Sequence, residues 1–222
     1  NSLSFYIPEL IIIFFLLLVI VFDVIPACKR YTFYIALGTI LLAGIFLWQS
    51  YGQTESLFMG MIKIDPFSHF FKIIFLLSTF SIILISRYDK QLAKNYSSEY
   101  NALLLIVLLG MFLMSSSVNL IMIYLSIELV SIPSYVLAGM LKNDKESNEA
   151  SLKYVIFGSF ASGLMLFGLS ILYGLTGSTD IGLVSSSLQS IEYPLTIYFP
   201  LILIMVGFGY KISMVPFHFW TP

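Results

Sequence analysis

The sequence is short of charge, cysteine and histidine, and each shortage excludes a class of protein. Only 10% of its 222 residues are charged and 59% are hydrophobic, whereas a soluble domain carries about 25% charged residues. This number of charges is too small to cover a water-exposed surface. The composition therefore predicts a membrane protein, whose surface faces lipid. The formal net charge of -1 gives no basis for binding nucleic acid.

The scarcity of ligand-type side chains also argues against a metal or cofactor site. Cys28 is the one cysteine, which excludes an intrachain disulfide and a CxxC metal motif. The two histidines, His69 and His218, are far apart in sequence and belong to no HExxH motif. The sequence contains no phosphate-binding loop and no GxGxxG. We therefore expect this chain itself to bind no cofactor and no metal.

Seven apolar runs, each of about 20 residues, predict seven transmembrane helices. Their approximate ranges are 5–25, 31–50, 66–86, 100–116, 118–141, 150–174 and 196–219. The first run has no basic region before it and no small-residue cleavage site after it, so it is interpreted as a span and not as a signal peptide. The connection 176–195 alternates polar and apolar residues, which indicates a short interfacial helix. The predicted fold class is an all-α membrane protein.

Lysine and arginine are concentrated in alternate loops, which predicts the orientation of the chain. The basic loops follow the first, third and fifth spans and contain Lys29, Arg30, Arg87, Lys90, Lys94, Lys142 and Lys145. The loops on the other side contain one basic residue, Lys63. The N-terminus is therefore predicted to face the outer side of the membrane and the C-terminus the inner side.

Two ionisable residues lie deep inside apolar runs: Glu128 in YLSIELVSIP and Lys211 in GFGYKISMVP. An ionised group at the bilayer centre costs roughly 2.5–3.5 kcal/mol on insertion scales, and such groups usually serve ion or proton movement. Pro133 and Pro216 follow five residues after each charge, which predicts a bent or broken helix beside it and a discontinuous seventh helix. The alternatives are a neutral Glu128 that only holds helices together and a structural ion pair with Lys211.

Lys153 and His218 are weaker candidates for the same proton path. Lys153 lies about a turn inside the sixth span, where its side chain either snorkels to the interface or relays charge to the Glu128–Lys211 pair. His218 comes seven residues after Lys211 and is predicted on roughly the same helix face, from which it passes a proton toward the inner side. Its alternative is an interfacial position in an aromatic belt beside Trp220. Four further ionisable residues are predicted to lie at or reach the interface: Glu9, Asp23, His69 and Lys72.

Three stretches of the sequence resemble the antiporter-like membrane subunits of respiratory complex I. They are YLSIELVSIPSYVLAGM (124–140), EASLKYVIFGSFASGLMLFGLSILYGLTGSTD (149–180) and GFGYKISMVPFHFWTP (207–222). The resemblance is to the branch called subunit 2 in mitochondria and chain N in bacteria. It implies that Glu128, Lys153 and Lys211 belong to a buried polar axis that couples quinone reduction elsewhere in the complex to proton translocation.

The same resemblance implies half of the antiporter-like fold and a set of partners. Residues 1–98 would form three N-terminal transmembrane helices, and residues 99–222 helices four to seven of a repeat that is incomplete at its C-terminus. The expected partners are other membrane-arm subunits, lipids, and a second fragment or missing C-terminal half that supplies the remaining helices. NADH, FMN, iron–sulfur clusters and quinone would be bound by other subunits.

The expected location is the mitochondrial inner membrane, with the bacterial plasma membrane as the alternative. Two other functions remain open at this point. One is a subunit of a multisubunit cation/proton antiporter, and the other is a structural scaffold subunit that no longer transports.

Overall fold

The computed structural model describes residues 5–25, 28–89, 97–189, 194–218 and 220. Within these residues, six helices are long and apolar enough to cross a membrane, and a shorter apolar helix accompanies them. The seven predicted apolar runs are therefore confirmed as helices, and the chain is a multi-pass membrane protein. Its predicted short helix in 176–195 is also present, at Ile181–Leu188.

The helices follow one another through the membrane with short connections. The first three are α1 (Ile7–Val24), α2 (Thr32–Gln49), preceded by a 3-10 turn at Lys29–Tyr31, and α3 (Pro66–Ser86). The others are α4 (Ser97–Ser116), α5 (Leu120–Ala138), α6 (Lys145–Thr176), the short α7 (Ile181–Leu188) and α8 (Pro194–Lys211).

Short polar side chains cap the starts of α3, α5, α6 and α7, and one glycine ends the longest helix. The Asp65 carboxylate accepts a hydrogen bond of 2.8 Å from the Ser68 amide, and the Asp65 amide donates to the Ser68 hydroxyl at 3.0 Å. Asn119, Asp144 and Asp180 cap α5, α6 and α7 in the same general way. Gly177 ends α6 with a φ of 67°, a conformation that glycine adopts without steric cost.

A two-stranded hairpin between α2 and α3 departs from the all-α prediction. Strand β1 (Glu55–Leu57) pairs antiparallel with β2 (Ile62–Ile64), with Ser56 opposite Lys63. The turn holds Phe58 and Met59 at positive φ values of 52° and 57°. Sequence analysis missed these strands because three residues are too few for a recognisable alternation.

The hairpin lies in a layer of backbone hydrogen bonds at one end of the bundle. The Val118 amide donates to the Met61 carbonyl at 3.0 Å, which ties the α4–α5 turn to the hairpin. The Leu120 amide donates to the Thr179 carbonyl at 2.8 Å, which ties the same turn to the α6–α7 connection. We call this end of the bundle the hairpin end. We call the opposite end, where Lys29, Arg30, Arg87, Lys142 and Lys145 lie, the basic end.

The core has two parts that meet between α4 and α5. One part is built by α1 to α4 around Ile12, Ile40, Ile83 and Leu108, and the other by α5 to α8 around Met165. Gly110 brings α4 against α5, since a Cβ there would lie only 3.1 Å from the Val130 amide nitrogen. This close contact holds the two parts side by side.

The two prolines that follow the intramembrane charges behave differently from each other. Helix α5 continues past Pro133 to Ala138, so the helix is not broken there. Helix α8 ends at Lys211, so the seventh span is interrupted at the lysine and not at Pro216. The prediction of helix up to residue 219 is wrong, because residues 212–217 form turns in which the Met214 amide donates back to the Gly209 carbonyl at 2.8 Å.

Candidate functional site

Small residues on α6 and α8 position the lysine of the site. A Cβ on Gly207 would lie 2.5 Å from the Cβ of Met165 and 3.1 Å from the Ala161 carbonyl oxygen. A Cβ on Gly168 would lie 2.7 Å from the Pro200 carbonyl oxygen. These glycines therefore let α8 approach α6 at backbone distance, which places Lys211, the last residue of α8, beside α5.

The predicted pair of intramembrane charges is brought together. The Lys211 Nζ atom lies 3.6 Å from the Glu128 Oε1 atom, and the two side chains are 12% and 19% exposed. The ammonium group donates to the Ser131 hydroxyl at 2.6 Å and to the Tyr135 hydroxyl at 3.1 Å. The Ser162 hydroxyl donates to Glu128 Oε1 at 2.6 Å. Three helices thus contribute to one polar cluster, which we call the Glu–Lys cluster.

Each charge is bonded to its own hydroxyl partners in place of a direct hydrogen bond between the two charges. Their separation of 3.6 Å exceeds the 2.7–3.2 Å of an N–H···O bond. Lysine has three donors, and a hydroxyl can both donate and accept. Ser131 already donates to the Ile127 carbonyl at 2.8 Å, so it accepts from Lys211. The arrangement can hold a proton on Lys211 while keeping the ion pair loose enough to open.

The surroundings of the Glu–Lys cluster differ between its two sides. Toward the hairpin end lie buried apolar side chains, including Ile127, Met165, Leu169 and Ile204, around an apolar cavity of about 40 Å³. Toward the basic end lie aromatic side chains with polar atoms. The Tyr154 ring lies 4.6 Å from the Tyr135 ring, centroid to centroid. The hydroxyl partners of Lys211 therefore lie toward the basic end, while the Tyr124 side chain lines the cavity on the hairpin side of Glu128.

Lys153 and His218 do not join the cluster within this structure. The Lys153 ammonium pairs with Glu149 on its own helix, at 2.7 Å, and its side chain is 49% exposed. His218 is exposed in the turns after α8. The prediction that it shares a helix face with Lys211 is wrong, because α8 ends at Lys211. A functional role for either residue stays a prediction.

A second buried ion pair was missed by the sequence analysis. The Lys72 Nζ atom of α3 lies 2.6 Å from the Glu9 Oε1 atom of α1, with side-chain exposures of 2% and 1%. The sequence analysis placed Glu9 and Lys72 at or near the interface, and the structure buries both side chains inside the bundle. Next to them, His69 is 1% exposed and contacts the Ser50 hydroxyl at 3.2 Å. Asp23, in contrast, pairs with Lys29 at the surface, as an interfacial residue does.

One feature of the sequence could have indicated this ion pair. Glu9 and Lys72 carry opposite charges, and both lie near the starts of spans that run in the same direction, so they share a depth in the membrane. Their separation of 63 residues hides this relation from any local pattern.

Comparison with known proteins agrees with the fold. The profile of the family described as "NADH:quinone oxidoreductase/Mrp antiporter, TM" matches residues 117–222. The chain is 42% identical over 226 aligned residues to NADH-quinone oxidoreductase subunit N 2 of Chloroherpeton thalassium, an alignment that covers 99% of this chain. The chain belongs to the antiporter-like subunits of NADH:quinone oxidoreductases. This chain is also 39% identical to subunit N of Chlorobium chlorochromatii, in an alignment that covers 100% of this chain.

Solved structures of related assemblies contain the same arrangement of helices. A chain of respiratory complex I from Thermus thermophilus with bound aureothin superposes with a TM-score of 0.79 at 27% identity, over 97% of this chain and 46% of that one. An archaeal membrane-bound sulfane sulfur reductase gives a TM-score of 0.78 at 20% identity, which shows a shared fold alone. The chain spans about 44% of the length of the two subunit N relatives and corresponds to roughly their N-terminal half.

Proposed function

We propose that this chain is part of a membrane-arm subunit of a proton-pumping NADH:quinone oxidoreductase, in which Glu128 and Lys211 carry one section of the proton path. The observation that supports this role is the geometry of the ion pair, whose charged atoms are close to each other but not directly hydrogen-bonded. Two opposite charges lie inside the bilayer region, 3.6 Å apart, and the ammonium is held by hydroxyl groups and not by the carboxylate.

The energies of the pair suit a protonation switch. At an effective dielectric constant near 20, two unit charges about 4 Å apart attract each other by about 4 kcal/mol. Removing an ammonium or a carboxylate from water costs several kcal/mol. Because these energies are similar, a movement of the Glu128 carboxylate by a few ångströms decides whether Lys211 keeps its proton. Ser131 and Tyr135 stay bonded to the ammonium as Glu128 withdraws, so the lysine remains oriented.

The released proton has a direction in this proposal. The side of the cluster toward the hairpin end is mostly apolar, with Tyr124 as its polar side chain, and the Tyr135 hydroxyl that bonds Lys211 lies on the side toward the basic end. The proton therefore leaves Lys211 along the plane of the membrane or toward the basic end. Lys153 and His218 both lie toward that end and would act there as charge relays.

The decisive experiment replaces each member of the pair and measures pumping and electron transfer separately. Glu128→Gln and Lys211→Ala are expected to leave the complex assembled on native gels but to abolish the NADH-driven pH gradient in membrane vesicles. Glu146→Gln, which removes an exposed carboxylate at the start of α6, is the matched control and should pump normally. Normal pumping by Lys211→Ala would remove the lysine from the mechanism.

A cation/proton antiporter is the second candidate, because the matching profile covers both protein classes by its own description. Sodium-dependent proton exchange by the protein without redox subunits would favour it. Copurification with flavin and iron–sulfur subunits, which would bind FMN, the clusters, NADH and quinone, would favour the first candidate. A scaffold that no longer transports would tolerate Glu128→Gln without any change in pumping.

The assembly and location follow from the relatives. The proposed partners are other membrane-arm subunits and the helices that correspond to the remainder of the longer relatives. The two named subunit N relatives are bacterial, so they favour the plasma membrane, the alternative of the sequence analysis. The mitochondrial inner membrane receives no support from them.

A further inference from the structure

A pocket at the basic end is lined by two exposed arginines. The cavity has a volume of about 560 Å³ and lies between the start of α2, the end of α3 and the start of α4. Arg30 and Arg87 line it and are both exposed. Among the described residues, neither guanidinium takes part in an ion pair.

Aromatic rings hold both guanidinium groups in place. The Arg87 Cζ atom lies 4.5 Å from the centre of the Phe33 ring and 5.6 Å from that of Tyr34. The Arg30 guanidinium donates to the Tyr31 hydroxyl at 2.5 Å. Stacked arginines keep their N–H donors free for an external acceptor, and guanidinium geometry matches phosphate oxygens.

One buried donor at the pocket has no partner. Asn101 of α4 lines the cavity and is only 1% exposed. Its Nδ2 atom makes no hydrogen bond within the part of the chain that the structure describes. A buried amide N–H without an acceptor costs about 1–3 kcal/mol, so an acceptor supplied by a ligand would remove that cost.

A separate apolar groove lies farther along two of the helices that line the pocket, α2 and α3. It also measures about 560 Å³ and runs between α2 and α3, past Leu41, Ile45 and Trp48 on one side and Leu77 and Phe80 on the other. On α2, the groove residues Leu41, Ile45 and Trp48 follow the pocket residue Tyr34 by 7, 11 and 14 positions. On α3, Phe80 precedes Arg87 by seven positions. Residues at these spacings lie on the same face of a helix, so the groove and the pocket share a face on each helix. The rise from Tyr34 to Ile45 is about 16 Å, close to the roughly 15 Å depth of one leaflet.

From this arrangement we infer that the pocket binds the phosphate group of an anionic phospholipid, whose acyl chain lies in the groove between α2 and α3. The two arginines and Asn101 recognise the phosphate oxygens, and the apolar groove distinguishes a lipid from a free phosphate ion. The site lies on α2, α3 and α4, away from the Glu–Lys cluster on α5, α6 and α8. Its test therefore measures bound lipid and does not depend on pumping.

The test compares lipid bound to the purified intact protein, with the subunits it retains, by native mass spectrometry. After delipidation the protein is titrated with phosphatidylglycerol, phosphatidylcholine or inorganic phosphate. Arg30→Gln/Arg87→Gln is expected to weaken binding of one phosphatidylglycerol about 30-fold, from about 1 kcal/mol for each basic residue near the membrane surface. Lys142→Gln/Lys145→Gln removes the same charge from the same end of the bundle outside the pocket and should bind like the parent protein.

A second variant tests the groove without changing any charge. A Cβ on Gly44 would touch only the Leu76 side chain, at 3.7 Å, so Gly44→Leu should fold and occupy the groove. We expect it to lose long-chain phosphatidylglycerol and to keep a short-chain form with six-carbon acyl chains.

Four outcomes would overturn the inference. The first is equal phosphatidylglycerol binding by the arginine variant and its lysine control, and the second is an equal loss of phosphatidylcholine binding by the arginine variant. The third is displacement of the lipid by inorganic phosphate at equal concentration. The fourth is loss of a neighbouring subunit with no change in bound lipid. The third outcome would make the pocket a site for free phosphate. The fourth would make it a protein interface.

Discussion

Ser131 decides how Lys211 is held when the ion pair opens. Its hydroxyl is the shortest contact of the ammonium, at 2.6 Å, while the Glu128 carboxylate is a full ångström farther away. Hydrogen bonds to charged groups contribute about 1.5–3 kcal/mol. The serine therefore rivals the carboxylate as the group that sets the position of the charge.

Ser131→Ala should consequently reduce proton pumping about tenfold or more, because about 1.4 kcal/mol or more of stabilisation of the ammonium disappears. The quantity to measure is the initial rate of the pH gradient relative to the rate of NADH oxidation. Ser134→Ala is the control, since the Ser134 hydroxyl lies one turn away and bonds only the Val130 carbonyl, at 2.7 Å. An equal effect of both alanines would mean that helix α5, and not the ammonium, responds to the loss.

Breaking the buried Glu9–Lys72 pair is expected to lower the stability of the protein and to leave proton transport unaffected. Lys72→Met leaves a carboxylate buried without its cation, which costs about 3–5 kcal/mol, whereas replacing both charges in Glu9→Gln/Lys72→Met should recover most of that loss. Thermal unfolding of the purified protein measures both. Lys29→Met, which breaks the exposed pair with Asp23, should cost only about 0–1 kcal/mol. Equal melting shifts for Lys72→Met and Lys29→Met would contradict this account.

At the scale of the elements, the packing of α8 on α6 determines the geometry of the Glu–Lys cluster. Gly207→Ala places a methyl group against Met165 and the Ala161 carbonyl. Overpacking of this kind costs about 1–3 kcal/mol, and it should push Lys211 away from Glu128. We expect lower thermal stability together with slower pumping.

Gly163→Ala is the matched control for this prediction. Gly163 lies on the same helix as the packing partners of Gly207, but a Cβ there would meet nothing within 4 Å. It should therefore change neither stability nor pumping. If Gly207→Ala behaved like Gly163→Ala, the close approach of α6 and α8 would not constrain the site.

The elements show how far the sequence could predict this structure. Long apolar runs predicted the spans because lipid leaves a helix no alternative for its backbone polar groups. The prediction that the charges of α5 and α8 meet rested on the cost of burying either one alone, and the structure places them 3.6 Å apart. A break of the seventh helix beside its charge was predicted, but its position at Lys211 and the hairpin at Glu55–Ile64 were not, because turns and tertiary contacts determine them and not local periodicity.

At the scale of the whole molecule, the basic residues gather at one end of the bundle. Lysine and arginine remain preferentially on the inner side of a membrane, so the hairpin should face outward. With Cys28 replaced by serine, Ser56→Cys in the hairpin should react with an impermeant maleimide on right-side-out vesicles. Asn143→Cys in the α5–α6 connection should react only after the vesicles are opened. The reverse labelling pattern would invert the orientation.

Main-chain hydrogen bonds at the hairpin end join the helices of the bundle at that end. There, α4, α5 and α6 are joined across their connections by main-chain hydrogen bonds from Val118 and Leu120. Such a joint acts as a fulcrum, so a given angular displacement of these helices moves their opposite ends farthest. Glu128 lies about 12 Å along α5 from the joint at Leu120, so a tilt of about ten degrees shifts its backbone by roughly 2 Å. In the proposed mechanism, this lever would convert a small rotation imposed by a neighbouring subunit into a shift of Glu128 relative to Lys211.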